Sequence, residues 1–73
     1  MANAKRLVYT VAPDRSNGGW LVKQQGRKTA VSAHKLKTVA IKKGKRLAKL
    51  APLGQVKIMR QDGRIQAQHK YGD

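Results

Sequence analysis

The apolar residues of this chain keep two different periods. Over residues 35–50 they recur about every 3.6 residues, while the segments before and after alternate apolar with polar. Pro52 and Gly54 end the helical pattern, because proline disfavours helical geometry at the residue before it. Advancing about 100° per residue, Leu36, Val39, Ala40, Ile41, Gly44, Leu47, Ala48 and Leu50 fall on one broad side. Lys35, Lys42, Lys45, Arg46 and Lys49 fall within an arc of roughly 100° opposite. Lys37 and Lys43 stand nearer the margins, where long aliphatic stems can run along apolar surface. Such a helix offers one face to a core and one face of stacked cations to its surroundings, so the flanking segments must supply the surface that covers the first.

Those segments read as strands. Residues 6–12 are β-branched and aromatic and run into Pro13-Asp14-Arg15-Ser16-Asn17-Gly18-Gly19, a dense cluster of turn formers. Residues 19–24 form a second strand-like run, and 29–32 can continue as a short extended piece after a turn at 25–28. Beyond the helix, 55–60 and 65–70 alternate around Asp62-Gly63, which suggests a hairpin closed by a type I′ turn. The alternation turns Trp20, Val22, Val56, Ile58, Ile65 and Ala67 toward the helix, and Leu21, Lys23, Lys57, Gln66, Gln68 and Lys70 away from it. The expectation is an α+β fold: a single ββαββ domain over 1–73, with an antiparallel sheet, one helix packed across one face, and flexible ends at 1–5 and 71–73.

With 73 residues the chain supports one small domain, which buries only about 60% of its unfolded surface and has a thin core. Apolar residues make up 40%, enough for a packed domain rather than a disordered polycation. There is no cysteine, which excludes disulfides, thiolate metal sites and thiol catalysis. The apolar run near the N-terminus is too short and too rich in Thr and Tyr for a signal peptide, and no window reaches the run of about 20 apolar residues that a membrane span needs. A cytoplasmic location is expected, nucleoid-associated if the partner is DNA.

Val11-Ala12-Pro13, Gly18-Gly19-Trp20-Leu21-Val22-Lys23, His34 ahead of the helix, Asp62-Gly63-Arg64-Ile65 and the closing Tyr71-Gly72 together resemble a family of small prokaryotic and phage proteins known as domain of unknown function 2188. The resemblance covers nearly the whole chain and rests on turn and core motifs. It implies the ββαββ fold and brings no activity with it. Members of that family are mixed in charge, typically with an Asp-Thr pair capping the helix; here Lys35-Leu36 stand in that place.

Charge is where this chain is extreme. Lys and Arg number 17 against three acids, for a net charge of +14. No acid interleaves the helical lysines, so Lys42, Lys45, Arg46 and Lys49 repel one another at helical spacings, each close pair costing a few tenths of a kcal/mol. A helix needed only for solubility would gain by alternating signs. The expected partner is therefore a polyanion: nucleic acid, with DNA slightly ahead of RNA, bound through phosphates by Lys42, Lys45, Arg46 and Lys49 with Lys35 at the margin. Secondary candidates are Lys23, Lys57, Arg64, Gln66, Gln68 and Lys70. Of these, Gln66 and Gln68 could read adenine edges from a strand ribbon. A phosphate at the helix start, where only Ser32 offers capping chemistry, and a basic arm at Lys5-Arg6 are lesser possibilities. The three aromatics, Tyr9, Trp20 and Tyr71, lack the spacing of a base-stacking sheet.

Enzyme chemistry finds little material. His34 and His69 are far apart, and the acids lie in turns or at the terminus, so no catalytic residue, metal site, cofactor or small-molecule substrate is expected. The main alternative is a protein-interaction module that docks an acidic partner or a ribosomal assembly. A small ribonuclease built on His34 is a distant third. Exposed hairpin edges and a thin core also make a homodimer reasonable.

Overall fold

A computed structural model of the chain describes residues 6–72. They form one five-stranded sheet and one helix: β1 (Leu7–Pro13), β2 (Trp20–Gln24), β3 (Ser32–His34), α1 (Lys37–Leu50), β4 (Gly54–Met59) and β5 (Ile65–Tyr71). The α+β class and the helix across one sheet face agree with the sequence reading. The strand order is β3-β2-β1-β4-β5, and the sheet is mixed rather than purely antiparallel: β1 and β4, at its centre, run parallel.

The cause is β3, only three residues long. It pairs antiparallel with β2, Trp20 opposite His34 and Val22 opposite Ser32, and so carries the chain back to the end of the sheet where β1 finished. From there α1 descends to the opposite end, and β4 must rise beside β1 in the same sense. With two strands before the helix, as expected from the sequence, β4 would have run the other way. A three-residue strand thus sets the sense of the central pair.

The hairpin turns differ from one another. In the β1–β2 turn the Asp14 carboxylate accepts the backbone N–H groups of Ser16 and Asn17 at 3.1 and 3.2 Å. In the β4–β5 turn the expected type I′ geometry is absent. Gly63 has φ +88°, but no non-glycine residue among those described has positive φ, so Asp62 cannot fill the first central position of a type I′ turn. Gly63 N–H instead donates to Arg60 O, Arg60 N–H donates to Arg64 O, and the Asp62 carboxylate accepts Arg64 N–H at 2.9 Å. Beyond this loop the register shifts: Met59 lies opposite Ile65, but Ile58 lies opposite Ala67. The residue skipped is Gln66, a bulge that reassigns the faces at the start of β5. Ile65, expected in the core, is 49% exposed.

The core is one layer between sheet and helix. Tyr9, Val11, Trp20, Val22, Val56 and Ile58 from the three inner strands meet Ala40, Gly44 and Ala48 on α1, with Leu7, Ile41, Leu47, Ala67 and Tyr71 at the margins. The helix presents its smallest residues, so its backbone lies close to the sheet. A Cβ on Gly44 would stand 3.1 Å from methyl carbons of both Val11 and Val56. That close approach narrows the buried stripe. Leu36, Val39 and Leu50, expected on the inner side, stay 62%, 43% and 74% exposed.

Candidate nucleic-acid interface

α1 positions the principal candidates. Lys42, Lys45, Arg46 and Lys49 occur at i, i+3, i+4 and i+7, which on a helix is one face. The buried row Ala40, Gly44, Ala48 fixes that face outward. Lys42, Arg46 and Lys49 are exposed and Lys45 is half-buried; with Leu50 they border a shallow depression of about 430 Å³. Lys49 leans toward β5, its Nζ 5.7 Å from the Tyr71 ring centre. Lys35 precedes the helix, which begins at Lys37, and is exposed.

The helix itself holds no acid, in its first turn or later. Asp14 and Asp62, the acids among the described residues, both sit in turns at the end of the sheet where α1 begins. Their carboxylates are engaged locally, Asp62 also standing 3.9 Å from the Arg64 guanidinium. Arg15 ties the same two turns together by donating to Gln61 O at 2.9 Å. The outer face of α1 is therefore left with its charges uncompensated from within the described chain.

The helix start also departs from expectation. The N-cap is Leu36, with extended backbone and no side-chain cap, because Ser32 lies in β3 and pairs its hydroxyl with His34 Nε2 at 2.9 Å. Lys37 extends back over the Trp20 ring, 4.8 Å from its centre, and its Nζ donates to Gln66 Oε1.

That contact separates the two glutamines expected to act together. The bulge brings Gln66 toward the helix start, whereas Gln68 faces the open side of the sheet and accepts a hydrogen bond from buried Gln55 at 2.9 Å. A joint Gln66/Gln68 ribbon reading base edges is not formed. Lys23, Lys57 and Lys70 do lie on the open sheet face, Lys57 half-buried and the others exposed, and Arg64 sits beside Asp62 at the turn. Arg6 donates to Gly54 O at 3.0 Å and Tyr71 O at 3.3 Å, so it ties the sheet together instead of forming an arm; Lys5 falls outside the described residues.

Tyr9 and Trp20 are 8% and 7% exposed, facing the helix in the core. Tyr71, the last residue of β5, is half-buried beneath Lys49. Of the cations at turns, Arg15 and Arg27 come to the open face, where both border a concavity also lined by Lys23 and Lys57. Which surface they serve was not legible in the sequence, since each lies in a turn whose direction only the fold sets. Among the described residues no group of His, Asp or Glu could hold a metal ion, and no helix is long and apolar enough to cross a membrane.

A thin five-stranded sheet beneath one helix, with a row of cations and no acid on the helix's outer face, defines a small basic α+β domain. The chain belongs to the family described as "Uncharacterized protein conserved in bacteria (DUF2188)", whose match runs over residues 9–71 and so takes in the helix and all of the sheet but the first two residues of β1. No curated protein and no solved structure matches it.

Proposed function

We propose that this domain binds nucleic acid, double-stranded DNA in the first place, through phosphate contacts made by the outer face of α1. The observation that carries the reading is the row Lys42, Lys45, Arg46 and Lys49, side by side and without an acid on the helix. Each phosphate neutralised releases condensed counterions, which supplies affinity without sequence preference. Burial of Tyr9 and Trp20 supports backbone contact over single-strand recognition, since neither ring is available to stack on a base. Lys35 would extend the contact beyond the helix start.

Titration of labelled duplex DNA, duplex RNA and single strands at several salt concentrations tests this. With about four phosphate contacts, the logarithm of the duplex affinity should fall with the logarithm of salt at a slope of roughly −4. K42E/K45E/K49E should abolish binding at an ionic strength of about 0.15 M. No binding at low salt, or an affinity indifferent to salt, would sink the proposal. A second reading, a module docking an acidic protein, is favoured by exposed Val39 and Leu50 on the same helix. It would take over if duplexes fail to bind while an acidic polypeptide does.

A further inference from the structure

The sheet face away from α1 is neither flat nor neutral. Thr10, Ala12, Leu21 and Met59 floor an open trough of about 690 Å³ between the β1–β2 turn and the β2–β3 connection. Four cations border it: Lys23 of β2 and Lys57 of β4, which flank Thr10 of β1, Arg27 in the β2–β3 connection and Arg15 in the β1–β2 turn. Asp14 is the one acid in its lining, and its carboxylate already accepts two backbone N–H groups. Small and aliphatic residues make the floor, so nothing there can stack on a base, and cations line the margins. An open trough with small side chains on its floor and positive charge at its margins suits a sugar-phosphate backbone.

We infer that this trough is a second phosphate-binding surface, and that one copy of the domain bridges two nucleic-acid duplexes, the first on α1 and the second across β1, β2 and β4. The inference rests on the helix-face reading of the first site. The two surfaces point in opposite directions from the sheet, since Lys23 and Lys57 alternate with Val22, Val56 and Ile58 of the core. One straight duplex cannot touch both. The trough has fewer free cations than the helix, Arg15 being tied to Gln61 O, so it is the weaker site and fills only at low salt.

The test is sandwich capture. A short duplex is fixed to beads, the full chain is added, and retention of a second, fluorescent duplex is read at about 50 mM salt. Two triple variants are compared: K23E/R27E/K57E on the sheet and K42E/K45E/K49E on the helix. Each lowers the net charge equally, so an effect of overall charge alone would weaken both alike. The sheet variant should bind the first duplex within about twofold of the unaltered chain, yet lose at least tenfold in retention of the second. Circular dichroism checks folding, and glutamine at the same positions replaces glutamate in any variant that does not fold. If the unaltered chain binds one duplex and retains no second, bridging is wrong and the helix-face reading stands. If the sheet variant bridges as well as the unaltered chain, two copies are bridging through their helices, and the trough plays no part. If no duplex binds at all, the helix-face reading fails and this inference falls with it.

Discussion

The two sides of α1 follow opposite rules. Its inner side is built from the smallest residues available, Ala40, Gly44 and Ala48, and what it can accept is decided by space. Its outer side is built from long cations, Lys42, Lys45, Arg46 and Lys49, and what it can accept is decided by charge. Salt barely alters packing, whereas it screens exposed charge over a length of about 8 Å at physiological strength. Substitutions on the two sides should therefore differ in size, in sign and in their response to salt.

The largest effect belongs to the inner side. Gly44→Leu would drive a branched side chain into Val11 and Val56, where even a Cβ stands at 3.1 Å. Overpacking of this kind costs about 1–3 kcal/mol and sometimes more, a large part of the roughly 5 kcal/mol expected for a domain of this size. Calorimetry should show the cooperative transition lost or moved far down. Gly44→Ala is the informative companion. Alanine gains about 1 kcal/mol in helix propensity, and the valines need yield only a few tenths of an ångström, so the net change should be near zero. A Gly44→Leu chain melting within a few degrees of the unaltered protein would mean that α1 does not rest on Val11 and Val56.

Legibility in the sequence followed the same division between pattern and tertiary contact. The helix was readable to within two residues because a sustained period and a following Pro52 are local signals. Trp20 and Val22 were rightly turned inward, since β2 is regular. The sense of the central strand pair was hidden in Ser32–His34, a strand too short to show a period, though it reverses the direction of everything after it. Gln66 and Ile65 were misplaced because a bulge moves the faces, and the hairpin loop that precedes it gave only its Asp-Gly pair as a clue. Val39 and Leu50 were misjudged because the width of a buried stripe depends on how closely the helix approaches, and three small residues let it approach closely. The four cations within α1 were legible from helical spacing alone, whereas Lys35, grouped with them in the sequence, precedes the helix.

A smaller effect is expected at the helix start, where inner and outer sides meet. Leu36 has the extended backbone of an N-cap, φ −106° and ψ 136°, without the side chain for it, and is 62% exposed. Leu36→Asp would supply an acceptor for a free N–H of the first turn and a negative charge at the positive end of the helix, a gain of about 1 kcal/mol. For a domain of this size that is a rise in Tm of about 4–8 °C. An unchanged or lower Tm would show that Leu36 contributes apolar contact outweighing the missing cap.

The smallest change separates the two sides most sharply. Lys42 repels Lys45 three residues on and Arg46 four residues on; Lys42→Glu turns both pairs attractive, with the acid on the favoured N-terminal side. At low salt the gain in stability should be about 0.5–1 kcal/mol, because each pair contributes only a few tenths on an exposed helix surface. The gain should shrink as salt is added, and the unaltered protein should melt higher in salt for the same reason. Duplex affinity should move the other way, falling with salt and falling in the variant. Stability and binding thus respond with opposite signs to one side chain and to one ion, which is the expected behaviour of a surface whose repulsion is relieved by phosphate. Should Lys42→Glu lower the Tm at low salt, the outer row is not under repulsive strain, and its charges would need a compensating partner elsewhere in the chain.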